Sequence, residues 1–464
     1  MGSIASNKGP PQLTALERIG PKGYVRYLFP FQLEEDYDID HVARILRAGY
    51  DALRVRLPEV ACEAVPDIDC EQAGVMKYAK RNDEIEPLVV KDLRDTYPST
   101  YTELKERRFP VSCFNADTFC RCDTWPERGN MVPIALVQAN FIRGGLILSW
   151  NMLHMAGDGT SFCIWTEIWA EGCRQAQGDY ESPVDLPEAI WKDRKQFMKP
   201  SGRNNGKIED HPEYTILPFT PPGMPPKMVS PNHRGQVYYF SPESLARLKA
   251  DASPVYATQP TDQKWISTND ALSALLWRTV MAVQHPIEEL EEDPVSVFNV
   301  ALDGRQRADP PVHSNTLGCF LEWTAPSASI RDMLTKFSIA DLAILVRKAV
   351  TRADNQFTDD VVTLVHSVED VDRLVATAFL DVPGNHCVQS SWLGFELYGI
   401  EWGPVLGKKI EAVRAPHVGI INGAQIVLPQ LANGGMEVLV GVESNCLDRL
   451  LKDPLFNKYG VALE

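Results

Sequence analysis

The 464-residue sequence lacks the features that mark membrane, secreted and nucleic-acid-binding proteins. It has no apolar run long enough to span a membrane, and its first residues, MGSIASNKGPPQ, lack the apolar core of a signal peptide. Lys and Arg total 46 against 62 Asp and Glu, and no basic block offsets the formal net charge of −16. These absences predict a cytoplasmic protein that binds no nucleic acid. The start also matches the loose M-G-x-x-x-S pattern of N-myristoylation.

The motifs of several common enzyme classes are also missing. There is no G-x-S-x-G elbow of a serine hydrolase, no G-x-G-x-x-G fingerprint and no P-loop. The ten cysteines are scattered, and the one close pair, Cys120 and Cys122, has neither a second pair nor nearby histidines. Disulfide frameworks are uncommon in chains of this size, so reduced thiols and no bound metal are expected.

The length and the apolar patterns predict an α/β protein of two domains. With 44% hydrophobic and 23% charged residues the chain is globular, and its length exceeds that of one ordinary core. Residues 199–235 are rich in proline and glycine and have little apolar periodicity, as expected for a crossover between domains. The predicted division is an N-terminal domain over residues 1–215, a linker over 216–235 and a C-terminal domain over 236–464.

Strand-like and helix-like patterns alternate along the chain, which predicts mixed sheets flanked by helices. The predicted strands cover residues 24–31, 133–141, 146–154, 236–240, 295–302, 424–429 and 436–441. The predicted helices cover residues 40–56, about 160–177, 242–250 and 267–284, and residues 338–380 are expected to be mostly helical. The turns at residues 143–145 and 432–435 each predict a hairpin.

The stretch LILSWNMLHMAGDG, residues 146–159, organises the chain. It reads as a strand that ends on His154, whose side chain continues the inward apolar face because side chains alternate along a strand. Gly157 and Gly159 flank Asp158 and would permit backbone angles that other residues resist. An imidazole in this position suits a general base, and a buried histidine satisfied by hydrogen bonds is the alternative.

Other features near this stretch have simpler explanations. Thr160 or Ser161 can cap the following helix, whose tryptophans are expected in the core, and Cys163 within that helix is expected to pack there. A second H-x-x-x-D, from His366 to Asp370, falls in a predicted helix and is expected on its solvated face. His154 and Asp158 could ligate a metal only with a third ligand that the sequence does not identify.

Five blocks of the sequence resemble the BAHD-type acyltransferases, in the order found in that family. They are VQANFIRGGLILSWNMLHMAGDG, STNDALSALLWR, VALDGRQRADPP, QSSWLGFELYGIEWGPVLGKKIEAVRAP and GGMEVLVGVE, within residues 24–445. They are most similar to the fungal branch that includes trichothecene 3-O-acetyltransferase. Peptide-synthetase condensation domains usually double the histidine of the motif, whereas Leu153 precedes His154 here.

The resemblance implies two chloramphenicol-acetyltransferase-like α/β domains around a channel that coenzyme A and the acceptor enter from opposite sides. It makes His154 the general base and Asp158 a structural residue paired with Arg305. Ser390 and Trp392 correspond to the block whose hydroxyl and indole N–H approach the tetrahedral intermediate.

Further family positions are matched with departures. Glu401, Trp402 and Gly403 correspond to an architectural block in which the family has Asp and Phe at the first two positions, and Cys319 stands where the family often has Asn. Ser267 and Thr268 are expected to contact the acyl-coenzyme A.

The expected function is therefore metal-free transfer of an acyl group from acyl-coenzyme A to a secondary metabolite. Acetyl is the expected acyl group, and a hydroxyl is expected as the acceptor before an amine. The expected enzyme is a monomer with no permanently bound cofactor and no covalent intermediate. A carrier-protein-bound donor and a non-catalytic ligand-binding relative are the alternatives, the latter resting on the departures at Glu401 and Cys319.

Overall fold

A computed structural model describes residues 13–81, 86–127, 132–180, 183–185, 198–224, 226–380, 384–416 and 421–463. The N-myristoylation pattern lies outside the described residues. No helix in the described part of the chain is long and apolar enough to cross a membrane.

Strands and helices alternate through the chain. The strands are β1 (Tyr24–Gln32), β2 (Cys62–Pro66), β3 (Met76–Lys80), β4 (Leu88–Asp92), β5 (Val132–Pro133), β6 (Ala135–Ile142), β7 (Gly145–Leu153), β8 (Tyr214–Ile216), β9 (His233–Phe240), β10 (Val295–Asp303), β11 (Leu321–Thr324), β12 (Ser327–Ser329), β13 (Leu374–Ala376), β14 (Cys387–Ser391), β15 (Ala424–Val427), β16 (Met436–Glu443) and β17 (Gly460–Ala462). The α-helices are α1 (Ala15–Arg18), α2 (Ile39–Arg56), α3 (Tyr101–Glu106), α4 (Ala116–Phe119), α5 (Gly159–Ala176), α6 (Pro226–Val229), α7 (Pro242–Asp251), α8 (Thr268–Gln284), α9 (Ile330–Thr335), α10 (Ile339–Arg352), α11 (Asn355–Ser367), α12 (Leu447–Lys452) and α13 (Pro454–Asn457).

The first half of the chain is built on a four-stranded sheet in the order β1-β7-β6-β4. Its β6–β4 pair is parallel, and the other two pairs are antiparallel. Helices α2 and α5 cover one face, where Trp150, Trp165 and Trp169 are fully buried. The two helices approach closely because Gly49 has no side chain: a Cβ there would lie 2.5 Å from Cys173 Sγ. Burial of these large rings is the main local source of stability.

The second half is built on an eight-stranded sheet, with the path β11-β10-β14-β15-β16-β9-β17 and with β12 paired to β10. The strands β10, β14 and β15 run parallel, so their carboxyl ends lie at one edge of the sheet. Helix α8 packs on this sheet in the opposite direction: Ser273 donates to Gln389 Oε1 at 2.6 Å, and Trp277 further along donates to Ser296 Oγ at 2.8 Å. The N-terminus of α8 therefore lies at the same edge as the carboxyl ends of β10 and β14.

The two halves exchange segments. The segment 392–415 follows β14 but packs into the core of the first half through Trp402, Leu406 and other apolar residues. Its Arg414 continues hydrogen bonding at the edge of β1, since the main chains of Leu28 and Arg414 exchange bonds of 2.8 and 3.0 Å. Strand β8, at the predicted boundary near residue 215, pairs with β13 of the second half. The domain boundaries given above stay a prediction.

Most strand and helix predictions are confirmed to within a few residues, including both hairpins and the mixed sheets. Two differ. Strand β9 begins at His233, inside the predicted linker, because it pairs with β16 along its whole length. Residues 338–380 are mostly helical, as predicted, but the α-helical part ends at Ser367, because the Asp370 side chain caps a single 3₁₀ turn and Leu374–Ala376 then joins a strand pair.

Candidate active site

His154 lies where strand β7 ends and the chain turns toward helix α5. Its backbone N–H donates to the Gly23 carbonyl at 2.8 Å, which extends the β1–β7 pairing by one bond. Residues His154–Ala156 then form one 3₁₀ turn, and Asp158 begins α5. The strand end was predicted from the alternation of apolar residues, and its position is confirmed.

Asp158 is the N-cap of α5: its Oδ1 accepts from the Ser161 N–H at 3.1 Å. The prediction that Thr160 or Ser161 caps the helix was therefore wrong by two or three residues. An aspartate accepts the first free N–H groups and interacts favourably with the helix dipole, so it is the stronger cap. Ser161 instead bonds across to the second half, where its hydroxyl donates to the Gly318 carbonyl at 2.9 Å.

The two glycines beside Asp158 are there for space rather than for backbone freedom. Gly157 has φ −166°, an extended angle that any residue adopts, and Gly159 is the first residue of the helix. A Cβ on Gly159 would lie 2.0 Å from the Phe395 ring, and one on Gly157 would lie 3.0 Å from the Ser161 Cβ. The predicted reason for these glycines, unusual backbone angles, was wrong; close packing against residue 395 requires at least Gly159.

The predicted pair of Asp158 and Arg305 is present and bidentate. Arg305 Nη1 donates to Asp158 Oδ2 at 2.6 Å, and Nη2 donates to Oδ1 at 3.0 Å. The Phe320 N–H also donates to Oδ2, at 2.9 Å. With the Ser161 bond, each carboxylate oxygen of Asp158 accepts two donors. The carboxylate thus joins the two halves of the chain.

Arg305 is fully buried, and its guanidinium uses all of its N–H groups. Besides the two bonds to Asp158, it donates from Nε to the Thr316 carbonyl at 2.9 Å, from Nη2 to the Gly318 carbonyl at 3.2 Å and from Nη1 to Asp303 Oδ1 at 3.0 Å. Burial by itself lowers the pKa of Arg305, but the two carboxylates outweigh it and raise the pKa, so the guanidinium is always charged. Only arginine offers five N–H donors in a planar arrangement; a lysine ammonium has three donors on one nitrogen and could not make all of these bonds.

These contacts exclude a direct hydrogen bond from Asp158 to the His154 imidazole in this structure, since the carboxylate is directed at Arg305. Asp158 acts on His154 only through space, raising its pKa slightly against the larger effect of burial. In the H-x-x-x-D motif the histidine therefore lies next to a structural ion pair, and His154 and Asp158 do not form a hydrogen-bonded dyad.

The His154 ring is half-buried. Burial lowers its pKa from the usual 6.5, and hydrogen bonding to the carbonyls of His154 and Gly157 opposes that shift in part. The imidazole is therefore neutral at neutral pH. Its Nδ1 lies 3.9 Å from Cys319 Sγ, a weak polar contact from the second half of the chain.

Ser390 and Trp392 lie at the carboxyl end of β14, and they contact each other. The indole Nε1 of Trp392 donates to Ser390 Oγ at 2.9 Å. The prediction that residues two apart in this extended segment direct their polar atoms at one spot is confirmed. However, an indole has one N–H, and that of Trp392 is used in the bond to Ser390 Oγ. The Ser390 hydroxyl accepts this bond and can still donate its own proton.

Aromatic rings connect this pair to the first half. The Trp392 ring lies 4.9 Å from the ring of Tyr27 on β1, centroid to centroid, and Tyr27 stacks on Phe162 of α5 at 3.8 Å. Nothing in the sequence singled out Tyr27 or Phe162, because their proximity to the site depends on the pairing of β1 with β7 and on the docking of segment 392–415.

Comparisons with known proteins give this geometry a context. A family model described as "Transferase family" matches residues 110–454, and one described as "Trichothecene 3-O-acetyltransferase-like N-terminal domain" matches residues 24–171. This chain belongs to the BAHD-type transferase family. It is an acyltransferase of that type, and the predicted resemblance is confirmed.

Individual proteins are similar to almost the whole of this chain. The trichothecene 3-O-acetyltransferase TRI101 of Fusarium sporotrichioides is 26% identical, with 94% of this chain and 93% of the relative covered. The protein claC of Penicillium crustosum, described as an enoyl-CoA isomerase/hydratase, is also 26% identical; the match covers 97% of this chain, which spans about half of that relative (50%). The crystal structure of F. graminearum TRI101 with coenzyme A and deoxynivalenol superposes with a TM-score of 0.84 at 23% identity, covering 98% of this chain and 100% of that one.

The family's architectural block, Glu401 to Gly403, lies at the far end of α5. Trp402 is fully buried, and Gln177 donates to its carbonyl at 2.8 Å. Gly403 has φ +89°, and a Cβ there would lie 2.3 Å from Gln177 Nε2. Because α5 has 18 residues, this block is about 27 Å along the helix from Asp158. The departure at Glu401 is exposed and pairs with Lys409 at 3.0 Å, so it does not reach His154.

Ser267 caps α8 and forms a capping box with Asp270. Ser267 Oγ accepts from Arg347 Nη2 at 3.0 Å, and Arg347 also binds Asp270 from Nε at 2.7 Å. Trp265 just before the cap is 58% exposed, with the Arg347 guanidinium 4.6 Å from its ring centroid. Thr268 is the first helical residue. The capping role of Ser267 is thus structural, while its helix end lies at the sheet edge that carries Ser390.

The remaining candidates do not join the site. His366 is exposed at the end of α11, as predicted for its solvated face. Cys163 is half-buried in α5, and burial raises its pKa, so it stays a thiol. All ten cysteines are unpaired, and the described part of the chain contains no cluster of three or more His, Cys, Asp or Glu that could hold a metal.

Proposed function

We propose that this chain transfers an acyl group, acetyl first, from coenzyme A to a hydroxyl group of a small secondary metabolite, with His154 as the single base. The observation that carries the proposal is a neutral, half-buried imidazole at the junction of the two halves, beside an acid that is fully occupied by Arg305. An alcohol is too weak an acid to attack a thioester unaided, so it needs such a base. The coenzyme A and deoxynivalenol bound to the Fusarium enzyme support the substrate classes.

The proposed reaction needs no covalent enzyme intermediate. His154 accepts the proton of the acceptor hydroxyl as its oxygen bonds to the thioester carbonyl carbon. The tetrahedral intermediate then expels the coenzyme A thiolate, which receives that proton. A cysteine nucleophile is unnecessary, and the raised pKa values of Cys163 and Cys319 make both unsuited to that role.

The pH dependence should follow the state of His154. Because burial lowers its pKa from 6.5, the active neutral form predominates at pH 7, and kcat/KM should fall toward unit slope at more acidic pH. The measurement is kcat/KM for acetyl-coenzyme A from pH 4.5 to 8.5, corrected for unfolding at low pH. An activity that instead rises steadily between pH 7 and 8.5 would contradict this assignment.

We propose Ser390 as the donor to the oxyanion that develops on the thioester carbonyl, with Trp392 positioning it. The Trp392 N–H occupies one lone pair of Ser390 Oγ and so orients the hydroxyl proton away from the indole. The backbone of Trp392 is fixed as well, since its main-chain N–H donates to the Val427 carbonyl at 2.8 Å.

Substitutions at the two residues should therefore differ in size. Ser390→Ala removes the donor and should lower kcat by roughly 10- to 1,000-fold with little change in KM for acetyl-coenzyme A. Trp392→Phe leaves the donor in place without its positioning bond, so its loss in kcat should be smaller. Steady-state kinetics of both variants test the order; a larger loss for Trp392→Phe would make the indole N–H the direct donor.

On the donor side we propose that Ser267 and Thr268 lie near the phosphates of coenzyme A. The support is the position of the α8 N-terminus at the edge that carries Ser390, and the affinity of helix N-termini for anions.

A carrier protein, the alternative acyl donor, would need unpaired basic residues on this face. Arg347 is paired with Asp270, and Lys348 lies 3.6 Å from Asp262, which favours free acyl-coenzyme A. Of the two departures behind the non-catalytic alternative, Glu401 lies far from His154 and gives it no support, whereas Cys319 contacts the His154 imidazole at 3.9 Å.

The proposed function is tested by incubating the protein with acetyl-coenzyme A and a panel of secondary-metabolite alcohols. Thiol release that depends on both the alcohol and His154, with an acetylated product in mass spectrometry, supports it. Thiol release equal to that of His154→Ala for every alcohol would overturn it.

A further inference from the structure

The hydroxyl of Tyr27 is a polar group without an assigned role next to the proposed reaction centre. The residue is 3% exposed, no described residue hydrogen-bonds to its hydroxyl, and the hydroxyl oxygen itself is not fully buried. Tyr24, on the same strand, donates to the Pro133 carbonyl at 2.6 Å, and Tyr37 donates to the Ile142 carbonyl at 2.7 Å. Buried tyrosine hydroxyls normally have such a partner. The Tyr27 oxygen, which has no such bond but remains accessible, can therefore bond to a molecule outside the polypeptide.

Three neighbours define where Tyr27 lies. It pairs with Trp150 across β1 and β7, so its ring is on the face covered by α5, where it stacks on Phe162 at 3.8 Å. Its ring also contacts Trp392, the residue bonded to Ser390. These contacts place it between the first turn of α5 and the carboxyl end of β14.

The protonation state of Tyr27 suits a donor. Burial raises its pKa well above the usual 10, and the nearby Cys163 and Asp158 raise it further. The group keeps its proton at any physiological pH. A neutral phenol cannot act as a base at neutral pH, but it can donate a strong hydrogen bond to an oxygen that becomes negative.

The chemistry at this place requires such a bond. The attacked carbonyl becomes an oxyanion, and Ser390 offers it one O–H, because the indole N–H of Trp392 is committed to Ser390 Oγ. We propose that Tyr27 is a second hydrogen-bond donor to this oxyanion and therefore a catalytic residue. It keeps its proton throughout, so the transfer of the acceptor's proton through His154 is unchanged. This inference rests on the proposed function.

The test is the Tyr27→Phe variant, which removes one oxygen that has no protein partner. We expect kcat to fall by roughly 10- to 1,000-fold, with KM for acetyl-coenzyme A and for the acceptor changed by no more than about two-fold. Because the same oxyanion forms when water is the acceptor, slow hydrolysis of acetyl-coenzyme A, followed as thiol release, should fall by the same factor. The melting temperature should be unchanged, since no hydrogen bond within the protein is lost.

Tyr101→Phe is the matched control. The Tyr101 hydroxyl likewise has no partner in the described part of the chain, but it is fully buried in a separate cluster with Phe109 and Ile147. Its loss should leave kcat at the wild-type value. A Tyr27→Phe variant with unchanged kcat, or with a change only in the acceptor KM, overturns the inference while activity that depends on His154 upholds the proposed function. A wild-type protein without such activity overturns both.

Discussion

The His154→Ala variant is expected to fold normally and to lose about 100- to 10,000-fold in turnover, the range for removal of a general base. The imidazole is half-buried, and apart from main-chain hydrogen bonds within its own turn its one side-chain hydrogen bond to a described residue is the weak contact with Cys319 at 3.9 Å, so we expect little stability to depend on it. Its backbone N–H, which bonds to Gly23, is retained in alanine. Thiol release from acetyl-coenzyme A at saturating acceptor measures the loss, and thermal unfolding checks the fold.

His366→Ala is the control for this result, because it alters the other H-x-x-x-D motif. His366 is exposed at the end of α11, so its removal should change neither turnover nor melting temperature measurably. The acid limb of the pH profile should disappear with His154 alone. Near-wild-type turnover of His154→Ala, or an equal loss in His366→Ala, would show that the base was wrongly assigned.

The second large effect is expected for Asp158→Asn, through stability. Arg305 is fully buried, and Asp158 supplies two of its five bonds along with most of the compensating charge. Breaking a buried ion pair by removing one partner leaves an uncompensated charge and costs about 3–5 kcal/mol. We expect a clearly lowered melting temperature or insoluble protein, together with lost activity. Arg305→Ala should behave in the same way, because it leaves Asp158 with two unmatched acceptor positions.

Asp303→Asn is a matched control, since Asp303 also accepts from Arg305 Nη1, at 3.0 Å, but its side chain is 44% exposed. A solvated partner contributes about 0–1 kcal/mol, so this variant should remain folded and active. The comparison of the two asparagine variants by denaturant unfolding isolates the buried pair. A stable Asp158→Asn protein that differs only in its pH–rate profile would instead assign proton chemistry to Asp158.

Local sequence determined the elements of the site. The alternation of apolar residues in 146–154 predicted the strand that leads to His154, and the Arg-Gly-Gly turn before it predicted the hairpin. Both predictions succeeded because side-chain period and turn chemistry are local properties of the sequence. The pattern of α5 gave its buried tryptophans in the same way. The five ordered blocks also predicted the family. The family resemblance in turn predicted the pairing of Asp158 with Arg305, two residues 147 positions apart.

Only the tertiary structure decided why individual residues are needed. Gly159 is required by the Phe395 ring, not by a backbone angle, and residue 395 belongs to a segment of the second half that packs on the first. The end of α-helical structure at Ser367 depends on the pairing of Leu374–Ala376 with β8, far away in the chain. Such contacts have no period in the sequence, so no pattern predicts them.

The same holds for the polar groups around the reaction centre. The sequence placed Ser390 and Trp392 two residues apart, which determined that they share a face, but the bond from the indole to the hydroxyl shows which of them has a free donor. Tyr27 carries no motif; it reaches the site because β1 pairs with β7 and the Trp392 segment crosses to that sheet. The sequence thus determined which groups the chain contains and on which elements they lie. The packing of the two halves decided which groups meet, because such contacts form only once both halves have folded.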